Sequence, residues 1–242
     1  MKSIAIVLAL ALFPACVFAV DGQALINQST VMAAGGFPYK ILQSGSYKLS
    51  GNLVVTTIGT EAIEIDSDNV TLDLNGFAII GSGTCTGSPL QCTTQTSRGV
   101  LTFGYSNTVK NGAVQGFGYG VYVTGSGTVE DVQVKANTLA GIYVAASSGA
   151  VVARCTAVLN GQRGIFAVNA AISDSVANAN GVDGFDVTAS TLIHIVANSN
   201  GGIGVNSTDG SVVGSSLMIS NPGGDLVGLG SQHNNSCTAG SC

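Results

Sequence analysis

The chain has 242 residues, 45% hydrophobic but only 9% charged, with 34 glycines, no tryptophan and a formal net charge of −5. Such an acidic, charge-poor chain gains no counterion-release attraction for nucleic acid, and its apolar content excludes a disordered polymer. One domain is expected, with a surface built largely from Ser, Thr, Asn and Gly.

Residues 1–19 read as a secretory signal. Lys2 gives the positive start, Ile4 to Phe13 the apolar run and Val17-Phe18-Ala19 the cleavage site. A lipid anchor at Cys16, after Phe13-Pro14-Ala15, is the alternative. A membrane span needs about twenty apolar residues, and Pro14 and Cys16 interrupt this run, so none is expected. Removing Lys2 from the eight basic residues leaves seven against 13 acidic ones, a mature net charge of −6. The predicted location is secreted, at the cell surface or periplasmic.

Residues 20–45 are predicted to cap the N-terminal end of a solenoid, using Ala24–Asn27 and Val31–Ala34 ahead of Gly35-Gly36. The solenoid itself is predicted over 46–230. From Gly99 onward each repeat opens with glycine, an apolar residue and an outward position: Gly99-Val100-Leu101, Gly120-Val121-Tyr122, Gly141-Ile142-Tyr143, Gly164-Ile165-Phe166, Gly184-Phe185-Asp186 and Gly204-Val205-Asn206. Asp225-Leu226-Val227 follows in register, and the steps between openings are 21, 21, 23, 20, 20 and 21 residues. Within a repeat the apolar residues alternate, which marks strands rather than helices. Asn137, Asn160, Asn180, Asn200 and Asn221 recur four residues before the next opening and predict a stack of amides at one corner. Coils of this length without a hexapeptide period indicate an all-β, single-domain, right-handed parallel β-helix. Side chains one coil apart should then form rows with a spacing of about 4.8 Å.

An earlier opening, Ala62-Ile63-Glu64-Ile65, lies 37 residues before Gly99. The excess over one coil is assigned to an insertion at 82–98. Cys85 and Cys92 sit inside it, and Cys237 and Cys242 sit in a C-terminal tail at 231–242. Both pairs are local and predict disulfides in an oxidising compartment. Cys155 falls on an apolar position and is read as a buried, unreactive thiol.

Three segments, Tyr47–Leu53, Asn69–Gly81 and Lys110–Gly118, resemble the entry coils of secreted bacterial β-helix proteins of the pectate-lyase-like superfamily. The resemblance covers about residues 42–230. It implies the fold, whereas members of that superfamily include lyases, hydrolases, epimerases and adhesins. In its lyases the resemblance implies carboxylates that hold calcium and an arginine or lysine base.

Two rows are candidate sites. The first, Asp131, Arg154, Asp174 and His194, lies in a polar column with Asn111 and Ser215 and offers an acid/base pair beside an arginine. Its two aspartates should stand about 9.6 Å apart, at the wide limit for inverting glycoside hydrolysis. No cluster of three carboxylates is present to hold calcium, so no metal or cofactor is expected, and the competing reading is an ion-pair ladder. The second row, Leu101, Tyr122, Tyr143 and Phe166, is a candidate ligand face or a stabilising stack. These readings give a non-catalytic β-helix that binds polysaccharide, a cell-surface glycan or another surface partner. The alternatives are a lyase or hydrolase of acidic glycans and a self-assembling structural protein.

Overall fold

The structure is a computed structural model and describes residues 22–228 and 231–238. The signal predicted at 1–19 and Cys242 lie outside the described residues. The chain winds through three parallel sheets per coil. The first runs from Tyr39–Ile41 through Ile63–Asp66, Arg98–Phe103 and Tyr119–Val123 to Leu226–Gly228. The second runs from Ala24–Ile26 and Gly45–Leu49 to Ser231–His233, and the third from Leu53–Val54 to Ser236–Cys237. The predicted repeat is the register itself: Leu101, Tyr122, Tyr143, Phe166, Asp186, Asn206 and Val227 are successive partners in the first sheet.

Alternation sets which side chains enter the prism. Val121, Val123, Ile142, Val144, Ile165, Ala167, Phe185 and Val187 all point inward and are buried. Each large one contributes about 1.5–3 kcal/mol through loss of apolar contact with water.

Single residues with a left-handed backbone turn the corners. Between the second and third sheets these are Asn111, Asp131, Arg154, Asp174, His194 and Ser215, with φ between 49° and 60°. Sequence alignment places this row within one strand. The structure instead splits each apolar segment at it: Gly127–Lys135 pairs with one sheet up to Glu130 and with the next from Val132. Asn and Asp tolerate that backbone because their short polar side chains bond locally, which accounts for three of the six.

The corner between the third and first sheets carries the asparagines, and they face inward. Asn137, Asn160, Asn180, Asn200 and Asn221 are all at most 2% exposed. The Nδ2 of each of the first four donates to the Oδ1 of the next asparagine at 2.9–3.1 Å, and the same Oδ1 also accepts from the preceding asparagine's backbone N–H. A second bond from each Nδ2 reaches a backbone carbonyl of the preceding coil, such as Ala157 O for Asn180.

This ladder explains the opening glycine of each repeat. A Cβ at Gly141, Gly164 or Gly184 would lie 2.7–2.8 Å from the Nδ2 of Asn160, Asn180 or Asn200. At the seventh opening stands Asp225. Its Oδ1 accepts from Asn221 Nδ2 at 2.8 Å and from Asn221 N at 3.2 Å, while Oδ2 accepts from Thr238 N at 2.8 Å.

At the other end a short helix, Gln28–Ala33, lies against the entry coil with Val31 buried beneath it. Asn27 caps it by accepting from Thr30 N, and Thr30 Oγ1 accepts from Asn27 N in return. The insertion forms a small antiparallel hairpin, Cys85–Thr86 against Gln91–Cys92, closed by the Cys85–Cys92 disulfide. Its neck is tied to the third-to-first corner. Buried Gln95 donates to Ser82 Oγ at 2.8 Å, accepts from Gly59 N at 3.2 Å, and through its carbonyl accepts from Thr138 Oγ1 at 3.0 Å.

Candidate functional site

The outer face of the first sheet carries two adjacent rows. Along the row predicted from sequence, Tyr122 and Tyr143 stack with centroids 4.6 Å apart, and Tyr143 and Phe166 stack at 4.4 Å. Tyr119, from the neighbouring row, meets Tyr122 and Tyr143 edge-on at 5.1 and 5.2 Å. Both ends of the stack are closed by guanidinium groups. Arg98 lies over Tyr122 at 5.1 Å and Arg163 over Phe166 at 5.6 Å. Each arginine is held by a carboxylate, Arg98 by Glu61 at 2.7 Å and Arg163 by Asp186 at 2.5 Å.

The result is one continuous array from Glu61 to Asp186, with the two arginines three rungs apart, about 14 Å. Burial, together with the neighbouring Tyr122 and Tyr119, holds the Tyr143 phenol above its ordinary range. Leu101, read from sequence as an exposed member of this row, is only 5% exposed. It is flanked in register by Glu64 and Tyr122, and so contributes no open surface. Arg98, Tyr119 and Arg163 are missing from the sequence reading, although each directly precedes an opening glycine. Ala140 breaks that row and hides it.

The stacked rings of Tyr122, Tyr143 and Phe166 cover one another, and the arginines lie over the two end rings. The array presents ring edges, phenolic hydroxyls and guanidinium N–H groups on this half-buried face. Arg98 Nε is buried without a hydrogen-bond partner.

The other predicted row projects from the second-to-third corner into solvent. Arg154 makes a bidentate pair with Asp131, both contacts at 2.8 Å, and a third contact with Glu130 at 2.8 Å. That hydrogen bonding holds the Asp131 carboxyl below its ordinary range and raises the Arg154 pKa. Asp174 pairs instead with His194 Nδ1 at 3.4 Å. An arginine shared between Asp131 and Asp174, as the sequence suggests, is therefore replaced by two separate pairs. All four side chains are at least two-fifths exposed. Among the described residues no group of three or more His, Cys, Asp or Glu could hold a metal ion.

The clefts lie elsewhere. One, of about 560 Å³, is at the N-terminal end between the helix and Val54–Thr60. Three others border the disulfide insertion. One of them, about 170 Å³, is lined by Thr93, Thr94, Thr96, Thr138 and Leu139, the last of which directly precedes the first-sheet residue Ala140. Cys155 is buried, with Sγ near the carbonyls of Ala153 and Val129, and desolvation pushes its thiol up to about 11. That environment disfavours the reactive thiolate.

No protein-family profile and no curated protein matches the sequence. Solved structures do. The periplasmic alginate epimerase AlgG superimposes with a TM-score of 0.61 at 14% identity, over 90% of this chain and 55% of its own. Pectate lyase Pel9A gives 0.60 at 16% identity, over 83% of this chain and 59% of its own. The A-module of the Azotobacter vinelandii mannuronan C-5 epimerase AlgE4 gives 0.57 at 17% identity, over 86% and 70%. This chain thus spans little more than half the length of the first two. At these identities the likeness speaks for the fold alone. Taken with three parallel sheets in a twenty-one-residue register, it makes the chain a right-handed parallel β-helix of the pectate-lyase-like fold.

Proposed function

We propose that the protein is a non-catalytic β-helix that binds a glycan along the outer face of its first sheet. The Cys85–Cys92 insertion forms one wall of this site. The observation that carries this reading is the array from Glu61 to Asp186, in which two arginines and three tyrosines pack on one another and the arginines are tied by carboxylates. Preorganised hydroxyl and guanidinium donors on a flat face suit a polymer rich in hydroxyls, because little side-chain entropy is lost on binding. The corner row supports hydrolysis or elimination less well. Arg154 is neutralised by two carboxylates, and none of the clefts described above includes Asp131, Asp174 or His194.

The test is calorimetric titration with neutral and uronic-acid oligosaccharides, together with absorbance of unsaturated products. Binding should weaken at least tenfold in Tyr143→Ala and Arg163→Ala, both checked for folding by circular dichroism, and stay unchanged in Arg154→Ala. Equal affinity in all four proteins rejects this face. Unsaturated product lost in Arg154→Ala assigns the corner row a catalytic function instead.

A further inference from the structure

The strands of the first sheet carry three cationic side chains, Lys40, Arg98 and Arg163, and a carboxylate sits on each of them. Lys40 pairs with Glu64 at 3.2 Å, Arg98 with Glu61 at 2.7 Å and Arg163 with Asp186. Two further carboxylates belong to the same sheet. Asp66 is exposed, stands in register with Phe103 and joins none of the ion pairs among the described residues. Asp183 directly precedes the opening glycine Gly184, and its Oδ1 accepts from Ile203 N at 2.8 Å. Three cations against five carboxylates give this sheet a net charge of −2.

A guanidinium grips a carboxylate through two parallel N–H bonds. On both arginines the edge that includes Nε is closed to a ligand, because Arg98 Nε is buried and Arg163 Nε donates to Asp186. An incoming carboxylate must then displace Glu61 or Asp186. Either step leaves a half-buried carboxylate unpaired, in a field that already repels the newcomer. An uncharged sugar meets no such opposition. Its hydroxyls donate to carboxylate oxygens and accept from single N–H groups, so it joins the existing pairs without breaking them. Asp66 offers such acceptor oxygens beside the exposed ring of Phe103.

We infer that this face selects an uncharged glycan and turns away polymers of uronic acids. The inference rests on the glycan-binding reading of the same face and names its substrate class. Selection is electrostatic: the pairs Lys40–Glu64, Arg98–Glu61 and Arg163–Asp186 spend the cationic charge inside the protein, and Asp66 adds repulsion at the surface.

The test is calorimetric titration of the full chain with hexasaccharides of glucose, mannose and galactose. Each is compared with the uronate hexamer of the same linkage and configuration, at about 10 and about 150 mM salt. At least one neutral hexamer should bind, and at least tenfold more tightly than its carboxylated twin. Rising salt should strengthen binding of the twin, because it screens repulsion, and leave the neutral sugar unmoved. Asp66→Lys should narrow the ratio of the two affinities at least fivefold. Where that variant unfolds at a lower temperature than the parent, Glu64→Gln, which frees Lys40, must narrow the ratio in the same direction. A uronate that binds more tightly than its neutral twin, or weakens as salt rises, overturns the inference. So does a ratio that neither variant moves. In those cases loss of binding in Tyr143→Ala still upholds the face as a glycan site. Binding by none of the sugars, or binding indifferent to Tyr143→Ala, rejects the site and the inference together.

Discussion

Asp225 occupies the opening position that glycine holds in the preceding coils, and that exchange ends the asparagine ladder. Glycine is needed wherever the next coil's amide presses on the opening. At the last opening the aspartate's own Oδ1 takes the place of a following asparagine oxygen, and Oδ2 ties Thr238 to the coil. Asn180→Ala would strip the acceptor from Asn160 N and Nδ2 and the donor from Ala157 O. Leaving buried groups unsatisfied costs about 1–3 kcal/mol, so a loss near 3 kcal/mol is expected in urea unfolding, with Asp225→Asn costing clearly less than Asp225→Ala. Cys155 gives a pH signature. Its folded pKa, about 11, is raised above the ordinary 9.0 by desolvation. The stability it contributes is full below pH 9 and is lost as pH climbs towards 11. Tyr47 and Tyr143 are also raised and act in the range above 10. The difference between the parent and Cys155→Ala isolates the thiol: the parent's urea midpoint should fall more steeply between pH 9 and 11. Parallel curves would show that the thiol does not feel its burial.

At the scale of strands and corners, one left-handed residue per corner lets nine-residue and longer strands bend from one sheet into the next without a loop. Ser215, at φ 49°, tests this corner apart from any charge. Ser215→Gly should be neutral or slightly stabilising. Ser215→Val should lose about 1–2 kcal/mol in chemical unfolding, because a β-branched residue is disfavoured at positive φ. Equal stability would mean that the corner backbone adapts. The same corner shows what the sequence made legible. Opening glycines and ladder asparagines repeat every 20 to 23 residues with the same offset between them, so the coil and its register were readable from them. The corner at Asp131 was not, since Thr128-Val129-Glu130-Asp131-Val132 contains no glycine or proline and alternation alone cannot reveal one positive φ. The inward turn of the asparagines was likewise hidden, because an inward and an outward ladder share the same spacing. On the first sheet the tyrosine row was plain, but its arginine ends depend on side chains that lean across to a neighbouring row.

For the molecule as a whole, each coil contacts mainly its neighbours, so stability is close to a sum of coil and interface contributions. The insertion stands outside that sum. Its hairpin tip is closed by Cys85–Cys92, seven residues apart, whereas its neck is anchored separately through Gln95 and Thr138. Loop-closure entropy for so short a ring contributes about 2–3 kcal/mol, and it acts on local opening of the hairpin rather than on the stacked coils. The Cys85→Ser/Cys92→Ser variant should therefore keep the far-ultraviolet unfolding midpoint of the parent within a small shift, while proteolytic nicking between residues 86 and 91 becomes much faster. If the hairpin walls the first-sheet face, glycan affinity should fall in the same variant without loss of the coil. A cooperative collapse of the whole solenoid would show instead that the insertion is an integral brace across the third-to-first corner, and the ladder beneath it would no longer suffice to explain how that corner holds.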